Sequence, residues 1–350
     1  MNVLFVLHQR VNAGSIQAVR NYVRVGAQLG HCFAVYGRPD PRFPGIRFST
    51  RVAAFDHVVF IVESSLKWMS ALRMPRILER VARERRAILD ADGMYNRVIA
   101  VDGYDRNHAT PRQCAEWRAH FHEVSDRIFQ PTLDPREPGV VALPFYGFNP
   151  DGVVPHEAAP GKRFDIVHLG HNWWRGQALG AELLPAIERI RGRLDGILFV
   201  GSWWNGPPPA TPDEHVAAFW ADGDAFRRLR IQVRPAVPHT QVVQSMSEGR
   251  VNLMTQRPLF RHLRLMTSKY FEIFQADTIP LVLLDADHAA SVYGPEGSGL
   301  ALGAGIDEKL VDALTHRERY VETVSRVRAH LAAHHSYGVR VRQLVAALER

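Results

Sequence analysis

The chain has 350 residues, 46% of them hydrophobic and 23% charged, a globular composition long enough for two cores rather than one. No apolar run approaches the roughly 18–20 residues that cross a bilayer. Its two cysteines, Cys32 and Cys114, make neither a disulfide framework nor a metal-ligand spacing. Lys and Arg outnumber Asp and Glu by 43 to 36, a net +7, which favours anionic partners: nucleotide diphosphates, nucleic acid or an acidic membrane surface.

The first strand is expected over residues 3–7, a short continuous apolar run as in a parallel strand covered on both faces. It follows Met1 and Asn2 directly, with no basic leader and no small-residue cleavage site, so a cytoplasmic protein is expected. A polar loop then ends at Gly14 and Ser15. Helical spacing runs over 16–29 and stops at Gly30, and a strand follows over 32–36. The same rhythm predicts a strand over 57–62, a basic amphipathic helix over 74–89, a strand over 97–101, a helix over 117–125 and a short strand over 127–130. Between 131 and 162 prolines and glycines accumulate, the texture of a linker.

After the linker the pattern restarts. Strands are expected over 164–169, 196–200, 231–233, 251–254 and 279–284, with helices over 182–194, 241–248 and 268–276. Further helices are expected over 308–314, 317–333 and 339–350. The fold class is therefore α/β, with two Rossmann-like doubly wound parallel-sheet domains facing a cleft. Residues 1–150 form the first domain and 163–335 the second, with 336–350 a closing helix that returns to the first. Sites in such sheets lie beyond the carboxyl ends of the strands.

Three segments carry a family resemblance. Residues 164–170 (Phe-Asp-Ile-Val-His-Leu-Gly) look like the strand and glycine turn that open a donor domain. Residues 267–280, with Thr267, Ser268, Lys269, Tyr270 and Glu272, resemble a donor-site helix. The tail His334, His335, Ser336 and Tyr337 with Arg340 looks like the end of a spore-maturation-protein-like branch. Together with the two-domain plan they resemble the GT-B glycosyltransferases of the group 1 superfamily. That resemblance implies a metal-independent transferase with no cofactor beyond its co-substrate, a nucleoside-diphosphate sugar. The acceptor side falls in the first domain and the donor side in the second. One departure matters: the related Glu-x7-Glu pattern has Arg264 at its first position, so a retaining outcome is not implied.

A helix N-terminus suits a diphosphate, and Thr267, Ser268 and Lys269 stand at one. Glu272, one turn on, can accept both ribose hydroxyls; the same residues also read as a capping arrangement. Gly170, Asn172 and Arg175 follow a strand, and Arg175 suits a diphosphate as a planar fork or serves as a surface cation. Gly14 and Ser15 let backbone approach phosphate or sugar. Arg264, with Arg261 and His262, faces the diphosphate or forms an exposed basic loop. The tryptophans at 203 and 204 stack on a base or sugar, or pack. For the base that takes the acceptor proton, Asp102, Asp105, His108 and His8 qualify by type. The competing classes are a sugar-nucleotide epimerase or hydrolase of the same fold, and a basic nucleic-acid-binding protein, including one that glycosylates nucleic acid.

Overall fold

The computed structural model describes residues 1–7, 13–63, 77–97, 111–156, 162–209, 211 and 216–350. Seven strands make the first sheet: β1 (Asn2–Val6), β2 (Cys32–Tyr36), β3 (Phe48–Ser49), β4 (His57–Val62), β5 (Arg86–Asp90), β6 (Ile128–Gln130) and β7 (Val140–Ala142). Their order is β3-β2-β1-β4-β5-β6-β7, and every pairing is parallel. Val3, Leu4, Phe5 and Val6 are all buried, so both faces of β1 are covered. Helix α1 (Gly14–Gln28) crosses from β1 to β2. Gly26 lets it pack closely, because a Cβ there would lie 2.2 Å from the Phe33 ring.

One expected element is overturned. The basic helix read over 74–89 gives way at Arg86 to strand β5, paired with β4 and β6. A short apolar run such as Ala87, Ile88 and Leu89 fits a buried strand or a buried helix equally, and long-range pairing decides. The Arg86 guanidinium anchors the turn by donating to the carbonyls of Leu78, Val81 and Val124. The strand expected over 97–101 lies, beyond Arg97, outside the described residues. Helix α2 (Pro111–Val124) begins earlier than its apolar spacing suggests.

The second sheet holds β8 (Phe164–Leu169), β9 (Ile197–Val200), β10 (Ile231–Arg234), β11 (Gly249–Met254) and β12 (Ile279–Val282) in the order β10-β9-β8-β11-β12, again all parallel. The order reverses at β8, as it does at β1 in the first sheet. The helix read over 182–194 is broken by a π turn at Leu179–Leu183 before Leu184–Ile190. The helix read over 268–276 shrinks to α3 (Lys269–Glu272), continued by turns.

Two crossings tie the sheets together. Asp277, buried beside β12, holds Lys162 at 2.6 Å, His156 at 2.9 Å and Arg317 at 3.5 Å, which pins the linker to the second sheet. The chain returns through α4 (Arg317–His335) and α5 (Tyr337–Glu349). At their junction the Phe148 amide donates to the His335 carbonyl at 2.8 Å. Arg340 is 1% exposed, donates to the Tyr146 carbonyl at 2.8 Å and to Gln343 at 2.8 Å, and contacts His335. The Tyr337 ring meets Tyr22 of α1 edge-on, and Arg127 donates to the Leu348 carbonyl. Among the described residues no helix is long and apolar enough to cross a membrane.

Removing the Arg340 side chain leaves the Tyr146 carbonyl buried without its donor, a loss of about 1–3 kcal/mol. Arg340→Ala should therefore lower the melting temperature by several degrees in a thermal melt. An unchanged midpoint would mean that α5 is not anchored through this residue.

Candidate functional site

A cavity of about 170 Å³ opens beyond the carboxyl ends of β8, β9 and β10. Leu169, Gly170 and His171 line it after β8, Val200 and Gly201 after β9, and Ala236, Val237 and His239 after β10. Ser268, Lys269 and Glu272 of the α3 segment form another wall, and Gly14 reaches it from the first sheet. Backbone closeness shapes the space. A Cβ on Gly201 would lie 1.9 Å from the Gly170 carbonyl oxygen, and one on Gly14 would lie 2.9 Å from Ser268 Oγ. Side chains at either position would push the walls apart.

Glu272 is 7% exposed. Its Oε1 accepts from His239 Nε2 at 2.9 Å and its Oε2 from Lys269 Nζ at 3.0 Å. Burial raises the carboxyl's pKa, but Lys269 and His239 together outweigh it and bring it down to about 2. The site thus holds a carboxylate that stays ionised, and each oxygen has lone-pair capacity left for a further donor. Ser268 precedes α3 with no side-chain capping bond, so its hydroxyl is not spent on the helix. Thr267 is half-buried, uses its carbonyl for the Tyr270 amide, and is not among the cavity residues. With only four residues, α3 brings little dipole to an anion, so attraction falls to the Lys269 charge.

Several sequence-predicted residues sit elsewhere. Asn172 is fully buried: its amide donates to the carbonyls of Trp203, Phe219 and Trp220, and its oxygen accepts from the Gly176 amide at 2.8 Å. It clamps two loops and is not among the cavity residues, which differs from its reading as a donor contact. Arg264 has φ 52 and pairs with Asp287, outside the cavity, so it does not face a diphosphate there. Arg175 donates to the His171 carbonyl at 2.6 Å and bears electrostatically on His171. Trp204 is buried and donates to the Gly170 carbonyl, while Trp203 lies 5.3 Å from the His171 ring. The Ser15 hydroxyl donates to Glu63 Oε2 at 2.6 Å, so it is committed within the protein. His8, Asp102, Asp105 and His108 lie outside the described residues.

Four functional candidates escaped the sequence reading. His171 and His239 line the cavity; nothing in the local pattern marks an imidazole between Gly170 and Asn172, or after Pro238, as part of one site. Glu63 and Asp92 stand at the carboxyl ends of β4 and β5, where the strand rule could have found them. Asp90, buried with a carboxyl raised to about 6 chiefly by desolvation, accepts the Met94 and Tyr95 amides and folds the loop that presents Asp92. Asp92 meets Arg257 of the second unit at 3.5 Å. Tyr146, whose ring comes within 3.6 Å of a Cβ built on Gly14, has its phenol raised by burial first, then by Glu63, Asp92, Tyr337 and Glu272. Carboxylates of both units therefore converge on the cleft.

No family model matches this sequence, and no curated protein matches it either. Solved structures do. T4 phage β-glucosyltransferase superposes with a TM-score of 0.58 at 11% identity, with 100% of each chain covered. An α-glucosyltransferase solved with UDP and a 13-mer DNA gives 0.62 at 9% identity, again covering 100% of each. Sucrose-phosphate synthase from Thermosynechococcus elongatus gives 0.63 at 11%, covering 100% of this chain and 98% of that one. The fold is GT-B. In GT-B terms the cavity lies on the second sheet's side of the cleft, closed from the first by Gly14.

The depressed carboxyl of Glu272 makes a signed prediction. Its folded value, about 2, is below the ordinary 4.5, so the stability it contributes is complete above about pH 4.5 and is lost as pH falls toward 2. The gap in melting temperature between wild type and Glu272→Gln should be widest near neutrality and close progressively in acid. A gap that persists undiminished near pH 2 would show that the charge is not what matters.

Proposed function

We propose that the chain is a glycosyltransferase, moving a hexosyl or related sugar from a nucleoside-diphosphate sugar to an acceptor hydroxyl. The observation that carries this reading is Glu272, an ionised carboxylate buried in a cavity it shares with Lys269, in a GT-B fold. A carboxylate so placed suits the two hydroxyls of a ribose, which donate to the oxygens that His239 and Lys269 leave partly unfilled. Lys269 and Arg175 then offset the charge of the diphosphate as the sugar leaves. In this reading residues 163–335 hold the donor and residues 1–150 the acceptor. Glu63 and Asp92 join Asp102, Asp105, His108 and His8 as candidates for the base. The two cations support metal-independent departure, although one T4 neighbour was solved with UDP and Mn2+. The tail from His334 to Tyr337 with Arg340 supports a placement near the spore-maturation-protein-like branch.

The direct test is a thermal-shift screen of nucleoside diphosphates on wild type and Glu272→Ala. A ligand that binds only the folded state must raise the melting temperature. At least one nucleotide should shift wild type by several degrees and shift the variant far less. Silence from every nucleotide, or an equal response from the variant, would remove the donor site. Free sugar or an isomerised donor in place of a glycosylated product would favour the epimerase or hydrolase class.

The net charge of +7 supports nucleic acid as the acceptor class, and neighbours include a DNA-modifying β-glucosyltransferase. Neutralising several phosphates makes affinity fall steeply with salt. Binding to a duplex should weaken by at least about 100-fold between 50 and 200 mM salt. Binding that is absent at low salt would move the acceptor to a glycan, peptide or small molecule.

A further inference from the structure

Resting on the donor-site reading above, we propose that His171 is the uncharged hydrogen-bond donor to the diphosphate of the bound nucleotide. The tautomer follows from one contact. His171 Nδ1 accepts the backbone amide of Ser202 at 3.1 Å. An amide N–H can only donate, so Nδ1 carries no proton, and in the neutral ring the proton sits on Nε2. That Nε2–H has no hydrogen-bond partner among the described residues, and His171 lines the cavity.

A second proton is resisted from every side. It would set Nδ1–H against the Ser202 amide, donor against donor. The groups facing the ring are that amide and the Trp203 ring from the β9 loop, Arg175 from its own loop, and Lys269 from α3. None is a carboxylate. Burial first, then Arg175 and Lys269, bring the imidazole down to about 4, so it is neutral throughout the physiological range. Lys269 shares the cavity with His171 while paired to Glu272, and Arg175 bears on His171 from behind its own loop, so positive charge lies beside the imidazole. The division of labour is physical. Lys269 supplies charge without direction, whereas His171, fixed by Ser202, supplies a directed donor that carries no charge near neutrality.

The probes are UDP and uridine, titrated calorimetrically into full-length wild type, His171→Phe and His171→Gln. A hydrogen bond to a charged acceptor contributes about tenfold or more in affinity. His171→Phe should weaken UDP by about tenfold and leave uridine unchanged, and His171→Gln, which keeps an N–H, should recover most of the loss. The ratio of wild-type to phenylalanine-variant affinity should stay constant from pH 6 to 8. A ratio that climbs steeply toward pH 6 would assign a charged imidazolium and overturn the proposal. Equal UDP affinity in all three proteins would overturn it as well, and so would parallel losses for UDP and uridine, which mean a structural role. Should the phenylalanine variant not fold, imidazole nitrogen spectra decide, using the signal missing from His171→Gln. A neutral Nε2–H signal that moves on adding UDP supports the assignment, and one that stays still removes it. Wild type that binds neither probe nor any other nucleoside diphosphate instead ends the donor-site reading itself.

Discussion

The site depends on an ionised carboxylate held where water is scarce. Glu272 is nearly enclosed, and an isolated carboxylate there would take up a proton rather than stay charged. Lys269, three residues back on the same turn, and His239, from the loop after β10, keep it ionised. That triangle links α3 to the loop after β10 and so fixes two walls of the cavity relative to each other. It also orients His239, because an ionised Glu272 requires the proton on Nε2 and leaves Nδ1 as an acceptor while the ring is neutral.

Around that triangle the cavity is built from backbone approaching backbone. Gly170 and Gly201 touch so closely that no side chain fits between them, and Gly14 lets the start of α1 come up against Ser268. Because the loops after β8 and β9 abut, Asn172 can lock them to residues 219 and 220 with a single amide group. The cleft itself is set further away. The Phe148 and His335 backbones pair, the Arg340 guanidinium holds the Tyr146 carbonyl, and the Met266 amide donates to the Pro131 carbonyl at 2.7 Å. These polar contacts, with the Asp92–Arg257 pair and a hydrophobic core that continues from one unit into the other, join the two sheets.

Much of the architecture was legible in the sequence because parallel strands buried on both faces appear as unbroken apolar runs. All five strands of the second sheet and four of the seven in the first were expected from the sequence, whereas the stretch 131–162, read as linker texture, contains β7. The failures share a cause. The run at 86–90 is as apolar as a helix face, and only pairing with β4 and β6 made it a strand. The strands at 48–49 and 140–142 are too short to carry a pattern. At the site, Lys269 and Glu272 could be read because they share one helical turn. His171 and His239 are 68 residues apart, and neither neighbourhood hints at the other. Asn172 and Arg264 were misread because residue type and loop position do not say whether a polar group is already spent on its own protein.

By itself, then, the sequence determined two α/β units of parallel strands and one turn that carries a lysine and a glutamate on the same face. Periodicity and burial are local properties, and a chain records them residue by residue. The tertiary structure alone decided which polar groups remain available: Glu272 charged rather than neutral, His171 in one tautomer, Asn172 consumed, Glu63 and Asp92 brought to the cleft. Those outcomes depend on distances between residues far apart in the chain. Desolvation and pairing act through space and leave no trace in residue order.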